Sequence, residues 1–175
     1  MLSARFKTIR FALLLVALFV VPAGAQWQSI GKVDSFVRDE EGISLNAGRT
    51  VVRISVLAPD LVRVRVARDG KFLPDQSCAV VRRDWSRVPL DVKETSDAVS
   101  LSTAEMVVRI SKNPLRMTFL DRNGTILNRD DERGISWSGS AVRIWKQMPQ
   151  SEEYYGLGEK AGALDRKYKH LTMWN

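Results

Sequence analysis

Two groups of residues in this 175-residue chain have types and spacings that could do chemistry. The first is Gly156-Leu157-Gly158-Glu159-Lys160-Ala161-Gly162. Glycines at this density let backbone amides close on a phosphate. The spacing, however, is G-x-G-x-x-x-G where a dinucleotide fingerprint needs G-x-G-x-x-G, and no strand–helix–strand pattern surrounds it. The Gly-Lys-Ser/Thr ending of a Walker loop is missing as well. Glycines beside the Tyr154-Tyr155 pair are read instead as allowing close backbone approach or a bulge. The second group is carboxylate: Asp130-Asp131-Glu132, Glu152-Glu153, Glu159 and Asp165. Glycoside hydrolysis needs two carboxyls about 5–5.5 Å apart for retention or about 6.5–9.5 Å for inversion. Neighbours on a strand point to opposite faces, so neither run forms such a pair alone, and both are expected to be solvated loop charges. Glu159 and Asp165 could meet only across a loop.

The remaining chemistry is sparse. His170, among Arg166, Lys167 and Lys169, has no second histidine or adjacent carboxylate to support acid–base work. Cys78 is the only cysteine, which excludes an internal disulfide and a Cys/His zinc cluster. Five tryptophans (Trp27, Trp85, Trp137, Trp145 and Trp174) could offer ring faces to sugars, though core or sheet cover is the default. No catalytic residue, metal site or cofactor follows from these types. Setting aside Arg5, Lys7 and Arg10 lowers the formal charge from +7 to +4. The other cations alternate with apolar residues, as in Arg63-Val64-Arg65, and make no basic stripe for nucleic acid.

The elements that must position these residues show period two. Thr50–Ala58 and Leu61–Ala67 are β-branched alternating runs separated by the turn pair Pro59-Asp60, with Val62, Val64 and Val66 on one face. Further strands are expected at 79–82, 90–94, Ala98–Ser102, 105–111, 115–120, 125–128, Ala141–Lys146 and 153–157. Asn123-Gly124 supplies the positive φ for a hairpin joining 115–120 to 125–128. Beyond the N-terminal residues, no stretch holds helical apolar spacing. Strands at this interval with turns between them read as an all-β sandwich or Greek key in one domain.

The N-terminus reads as an address. Arg5, Lys7 and Arg10 precede an unbroken apolar run at 11–21, then Pro22 and the small residues Ala23-Gly24-Ala25. That is the layout of a secretory signal peptide at 1–25, cleaved after Ala25. The run is too short to span a bilayer. A secreted or periplasmic domain at 26–175, free of the membrane after cleavage, is therefore expected. Residues 167–175 finish on Leu171, Met173 and Trp174, whose exposure would forgo burial worth about 1.5–3 kcal/mol for a large side chain. The chain is accordingly expected to stop inside a larger protein, with its sandwich incomplete at the C-terminus.

The string YYGLGEKAGALDRKYKHLTMWN resembles the N-terminal β-sandwich of glycoside hydrolase family 31, the α-glucosidase/α-xylosidase family. The matched positions are Tyr155, Gly156 through Lys160, Gly162, Leu164-Asp165-Arg166 and Met173-Trp174-Asn175. The resemblance is specific there and diffuse from about residue 30. It implies an antiparallel galactose-mutarotase-like sandwich packed on a (β/α)8 barrel. By the same resemblance, that barrel carries both catalytic aspartates of a retaining mechanism on α-linked glycosides. A barrel needs about 250 residues, which this chain does not hold. The Trp-x-Asp-Met-Asn nucleophile string is also absent. The resemblance thus implies a non-catalytic part that supports the barrel and shapes the sugar pocket, with Trp174 and Asn175 as its substrate-binding residues. Its partners would be that barrel and an α-glycoside. The alternative is a free-standing carbohydrate-binding sandwich without hydrolytic activity.

Overall fold

Alternation on both sides of short turns makes consecutive strands pair as hairpins, and the computed structural model shows this from Ser35 to Ala67 and from Asp91 to Lys146. It describes residues 26–77, 79–82 and 84–173. The signal-peptide reading at 1–25, Cys78, Trp174 and Asn175 lie outside the described residues. In chain order the strands are β1 (Gln28–Ser29), β2 (Ser35–Arg38), β3 (Gly42–Ala47), β4 (Thr50–Ala58), β5 (Leu61–Ala67) and β6 (Asp91–Glu94). They continue as β7 (Ala98–Ser102), β8 (Met106–Lys112), β9 (Leu115–Asp121), β10 (Ile126–Ser138) and β11 (Ala141–Lys146). No helix occurs among the described residues, and every pairing is antiparallel.

A four-stranded sheet runs β2-β3-β4-β5, and a seven-stranded sheet runs β1-β10-β9-β8-β7-β6 with β11 on the other side of β10. Their inner faces meet in one core. Ile43 faces Ile54 and Leu45 faces Val52 across β3 and β4, while Val99 faces Ile110 and Leu101 faces Val108 across β7 and β8. All eight are buried in the same cluster. Ile30 and Val33, between β1 and β2, join that core. The Val33 amide donates to the Lys112 carbonyl at 2.7 Å, and the Leu115 amide donates to Gly31 at 3.0 Å. The result is an all-β antiparallel sandwich.

The expected bounds of β4, β5, β7 and β11 are the observed ones. At the 121–124 turn the Asp121 carboxylate accepts the Asn123 and Thr125 amides at 2.8 and 2.7 Å, and Gly124 alone there has positive φ, +85°. The expected strand at 79–82 does not form. The Ser77 hydroxyl instead accepts the Ala79 and Val80 amides, a local turn that competes with a ladder.

The expectation of solvated loop charges at Asp130-Asp131-Glu132 is also corrected: all three lie within β10. This strand pairs with β9 through Arg129, then shifts register between Asp130 and Ile135 before pairing with β1 and the rest of β11. Beyond Arg129 the ladder no longer supplies a partner for the Met117 amide. Asp130, 5% exposed, accepts that amide at 2.8 Å through Oδ2 and the Lys146 ammonium at 2.6 Å through Oδ1. Arg116 lies over the irregularity and donates to the Glu132 carbonyl. Gly134 makes room, since a Cβ there would sit 2.6 Å from the guanidinium carbon.

Two substitutions test this account. Asp130→Ala strands a buried amide and an ammonium, and is expected to cost about 3 kcal/mol in urea denaturation. A loss below about 1 kcal/mol would contradict it. Gly42→Ala places a Cβ 1.9 Å from the Ile54 carbonyl oxygen in backbone that cannot move without breaking the β3–β4 ladder. It is expected to lower the urea midpoint by the equivalent of about 2–4 kcal/mol, whereas Gly48→Ala, with open space around the new methyl, costs less.

Candidate functional site

After β11 the backbone has to satisfy its polar groups without a neighbouring strand, and side chains do much of that work. The strand expected at 153–157 is not one. Gly156, Leu157 and Gly158 take positive φ of 80°, 63° and 85°, which ends extended backbone. Tyr154, just before them, bonds instead to residues eleven and twelve positions on. Its amide donates to Asp165 Oδ1 at 3.1 Å, and its carbonyl accepts the Arg166 amide at 2.6 Å. The same Asp165 oxygen accepts the Lys167 amide at 2.9 Å. The chain from 155 to 164 is thereby closed into an arc.

Arg166 spans that arc, donating from Nη2 to the Lys160 carbonyl and from Nη1 to Ala161 at 3.3 Å. Gly162 leaves space for it: a Cβ there would meet Arg166 Nη1 at 3.1 Å. Lys167 Nζ ties the segment back to Pro149 and Gln150 through their carbonyls, at 2.8 and 2.5 Å. The two tyrosines each donate to the carboxylate two residues earlier, Tyr154 to Glu152 at 2.9 Å and Tyr155 to Glu153.

These bonds decide what the carboxylates can do. The Lys167 and Tyr154 amides hold the Asp165 carboxyl below its ordinary value, so it is an anion at neutral pH and no proton donor. The phenols of Tyr154 and Tyr155 are pushed up by their glutamate partners. Asp165 is thus committed to the Tyr154 and Lys167 amides. Among the described residues no group of three or more His, Cys, Asp or Glu could hold a metal ion. His170 is exposed. Trp137 is core and donates to Gln28 at 3.1 Å. Trp27, Trp85 and Trp145 lie under Arg143, Arg82 and Arg133, at 3.9, 4.6 and 3.7 Å from ring centre to guanidinium.

Sequence reasoning missed the roles of Asp165 and Arg166 in this segment, and the available signal was the Asp-Arg pair following a glycine-rich stretch. The segment keeps most of its large apolar side chains outside, with Tyr154 and Leu171 half-buried. Tyr155, Leu157, Leu164, Tyr168 and Met173 are exposed, Leu164 and Tyr168 at 78% each. What it can do chemically is present a fixed, aromatic and cationic surface. The substrate-binding residues expected at its end, Trp174 and Asn175, are not among the described residues.

Asp165, Asp39, Asp97, Asp121 and Asp131 are all held below their ordinary value of 3.8, Asp39 chiefly by Arg53. The unfolded chain therefore binds protons more readily than the folded one in the window just below that value. Stability should be flat above about pH 5 and fall as pH drops through the folded-state values. Urea midpoints from pH 7 to pH 2.5 check this; a midpoint that rises on acidification would contradict it.

Comparison with known proteins follows the same segment. A family model described as the glycosyl hydrolase 31 N-terminal galactose mutarotase-like domain matches residues 51–175. Alpha-glucosidase 2 of Bacillus thermoamyloliquefaciens is 31% identical over 147 residues, covering 83% of this chain and 19% of that protein. The GH31 dextranase of Flavobacterium johnsoniae, in complex with glucose, superposes with a TM-score of 0.74 at 22% identity. That match covers 81% of this chain and 18% of the dextranase. The GH31 alpha-xylosidase of Xanthomonas citri gives 0.66 at 24% identity, over 75% of this chain and 16% of that one. The chain spans less than a fifth of the length of each.

Proposed function

This chain belongs to glycoside hydrolase family 31 through its N-terminal galactose-mutarotase-like domain, and from that premise we propose that it is the non-catalytic front part of an exported α-glycosidase. Its sandwich supports a catalytic (β/α)8 barrel, and the segment after β11 reaches the mouth where the sugar is chosen. Trp174 and Asn175 contact the α-glycoside. The chemistry, which requires two carboxyls held at a fixed separation, belongs to the barrel. The leader at 1–25 directs the product out of the cytoplasm.

One observation carries the reading. The family match runs through the segment that lies off both sheets and leaves Tyr155, Leu157, Leu164, Tyr168 and Met173 exposed. Exposed apolar side chains gathered in one stretch of chain suit a place where another body docks. The sugar class is supported by the relatives: one is named an alpha-glucosidase, one is a dextranase complexed with glucose, and one is an alpha-xylosidase.

The test is hydrolysis of aryl α-glucosides and α-xylosides by two products: the polypeptide of the uninterrupted reading frame containing this sequence, and residues 26–175 alone. Turnover by the first and none by the second is expected. In the former, Trp174→Ala should raise KM about tenfold through loss of ring contact with the sugar. Turnover by 26–175 alone, or none by the longer product, would overturn the proposal.

A further inference from the structure

We propose that Asp165 and Arg166 are positioning residues, forming a latch that closes the 155–164 arc onto Tyr154 and so fixes the direction in which residues 167–173 run towards the sugar pocket. This rests on the reading of Trp174 and Asn175 as pocket residues. The geometry itself stands without it. Both backbone polar groups of Tyr154 are taken, its amide by the Asp165 side chain and its carbonyl by the Arg166 amide, at 3.1 and 2.6 Å. One strand of an antiparallel pair would make the same two bonds with backbone alone; here a carboxylate replaces a carbonyl. The Lys167 amide shares that carboxylate oxygen at 2.9 Å, so the latch also sets the first residue beyond the arc.

The arc needs such a device because its own backbone is costly. Gly156, Leu157, Gly158 and Gly162 all have positive φ, and Leu157 carries a side chain in a region L residues disfavour. Arg166 supports the closure from inside, with its guanidinium on the Lys160 and Ala161 carbonyls. Its Nε is the one buried side-chain polar atom without a hydrogen-bond partner among the described residues. An arginine kept in place despite that unmade bond is held by the carbonyls it clamps. Beyond the latch, Tyr168 is the second non-glycine residue with positive φ, 59°, where the chain turns towards Met173.

Trypsin reads the latch directly, because Lys160, Arg166, Lys167 and Lys169 lie within or just beyond the arc, and cleavage requires the local backbone to open. In the full chain, Asp165→Ala is expected to speed cleavage at these positions about tenfold, with cleavage at Arg122 in the β9–β10 turn unchanged. Asp165→Asn keeps an oxygen for both amides and should stay within about threefold of the parent. Arg166→Lys keeps the charge but loses the fork across two carbonyls, and should speed cleavage at Lys160. In the longer product, Asp165→Ala is expected to raise KM for an aryl α-glycoside with kcat retained, and Asp165→Asn to restore it. Equal cleavage of Asp165→Ala and parent overturns the latch. Faster cleavage with unchanged KM in an active enzyme overturns its positioning role. An inactive parent enzyme would sink the proposed function, while the proteolysis still decides whether the latch exists.

Discussion

A strand of 13 residues that must serve three neighbours cannot keep one register, and β10 changes register between Asp130 and Ile135. The shift lets its first part extend the β6–β9 sheet and its second part pair with β1 on one edge and β11 on the other. A ladder broken in this way leaves backbone donors facing a protein interior, where an unpaired amide is worth more in lost stability than most contacts gain. The buried Asp130 carboxylate resolves this by taking the Met117 amide, and Lys146 from β11 neutralises the charge while packing 5.1 Å from the Phe119 ring centre. Three strands meet at one side chain. The segment after β11 starts where it does because this junction fixes β11.

Most of the sandwich was legible in the alternation of its residues, for a reason visible at particular strands. In β4 the residues at alternate positions from Thr50 to Val56 are the buried ones, and in β7 Val99 and Leu101 are buried while Ser100 and Ser102 are less so. Three elements escaped. Ile43, Leu45 and Ala47 of β3 alternate correctly, but Gly42 and Asn46 are poor strand formers and mask them. Gly42 is there because β4 passes too close for a side chain. β2 is a short outer strand, largely exposed, and carries little apolar signal. β1 has two residues, and its pairing with Ser136 and Trp137 depends on a partner more than a hundred positions away. The second half of β10 escaped for the opposite reason. Arg129 to Glu132 reads as a solvated polar run, and only the tertiary bend makes Asp130 a buried residue.

The candidate site was legible as a string and not as a geometry. The residue types at 155–166 pointed to a family, and the family match covers them. Alternation around Tyr154 pointed to a strand, yet what closes there is a side-chain bridge across eleven positions. Period-two reasoning has no means of seeing that a carboxylate substitutes for a strand neighbour, because the bridge depends on Asp165 meeting a specific amide. The two amide bonds of Asp165 show a residue whose charge is used for shape.

Side-chain closure also explains how such a segment can lie outside both sheets. A strand is fixed by its neighbours and transmits any shift along the whole ladder. An arc fixed by Asp165, Arg166 and Lys167 is anchored at Tyr154, Pro149 and Gln150, and Leu157 and Leu164 within it are exposed. Ordering a loop costs about 1–2 kcal/mol of backbone entropy per residue, and solvent-exposed apolar side chains return none of it. Charge-assisted bonds to amides and carbonyls are the contributions left to offset that cost. This is why the glycines, the aspartate and the arginine occur together: glycine permits the turn, and the two charged residues hold it.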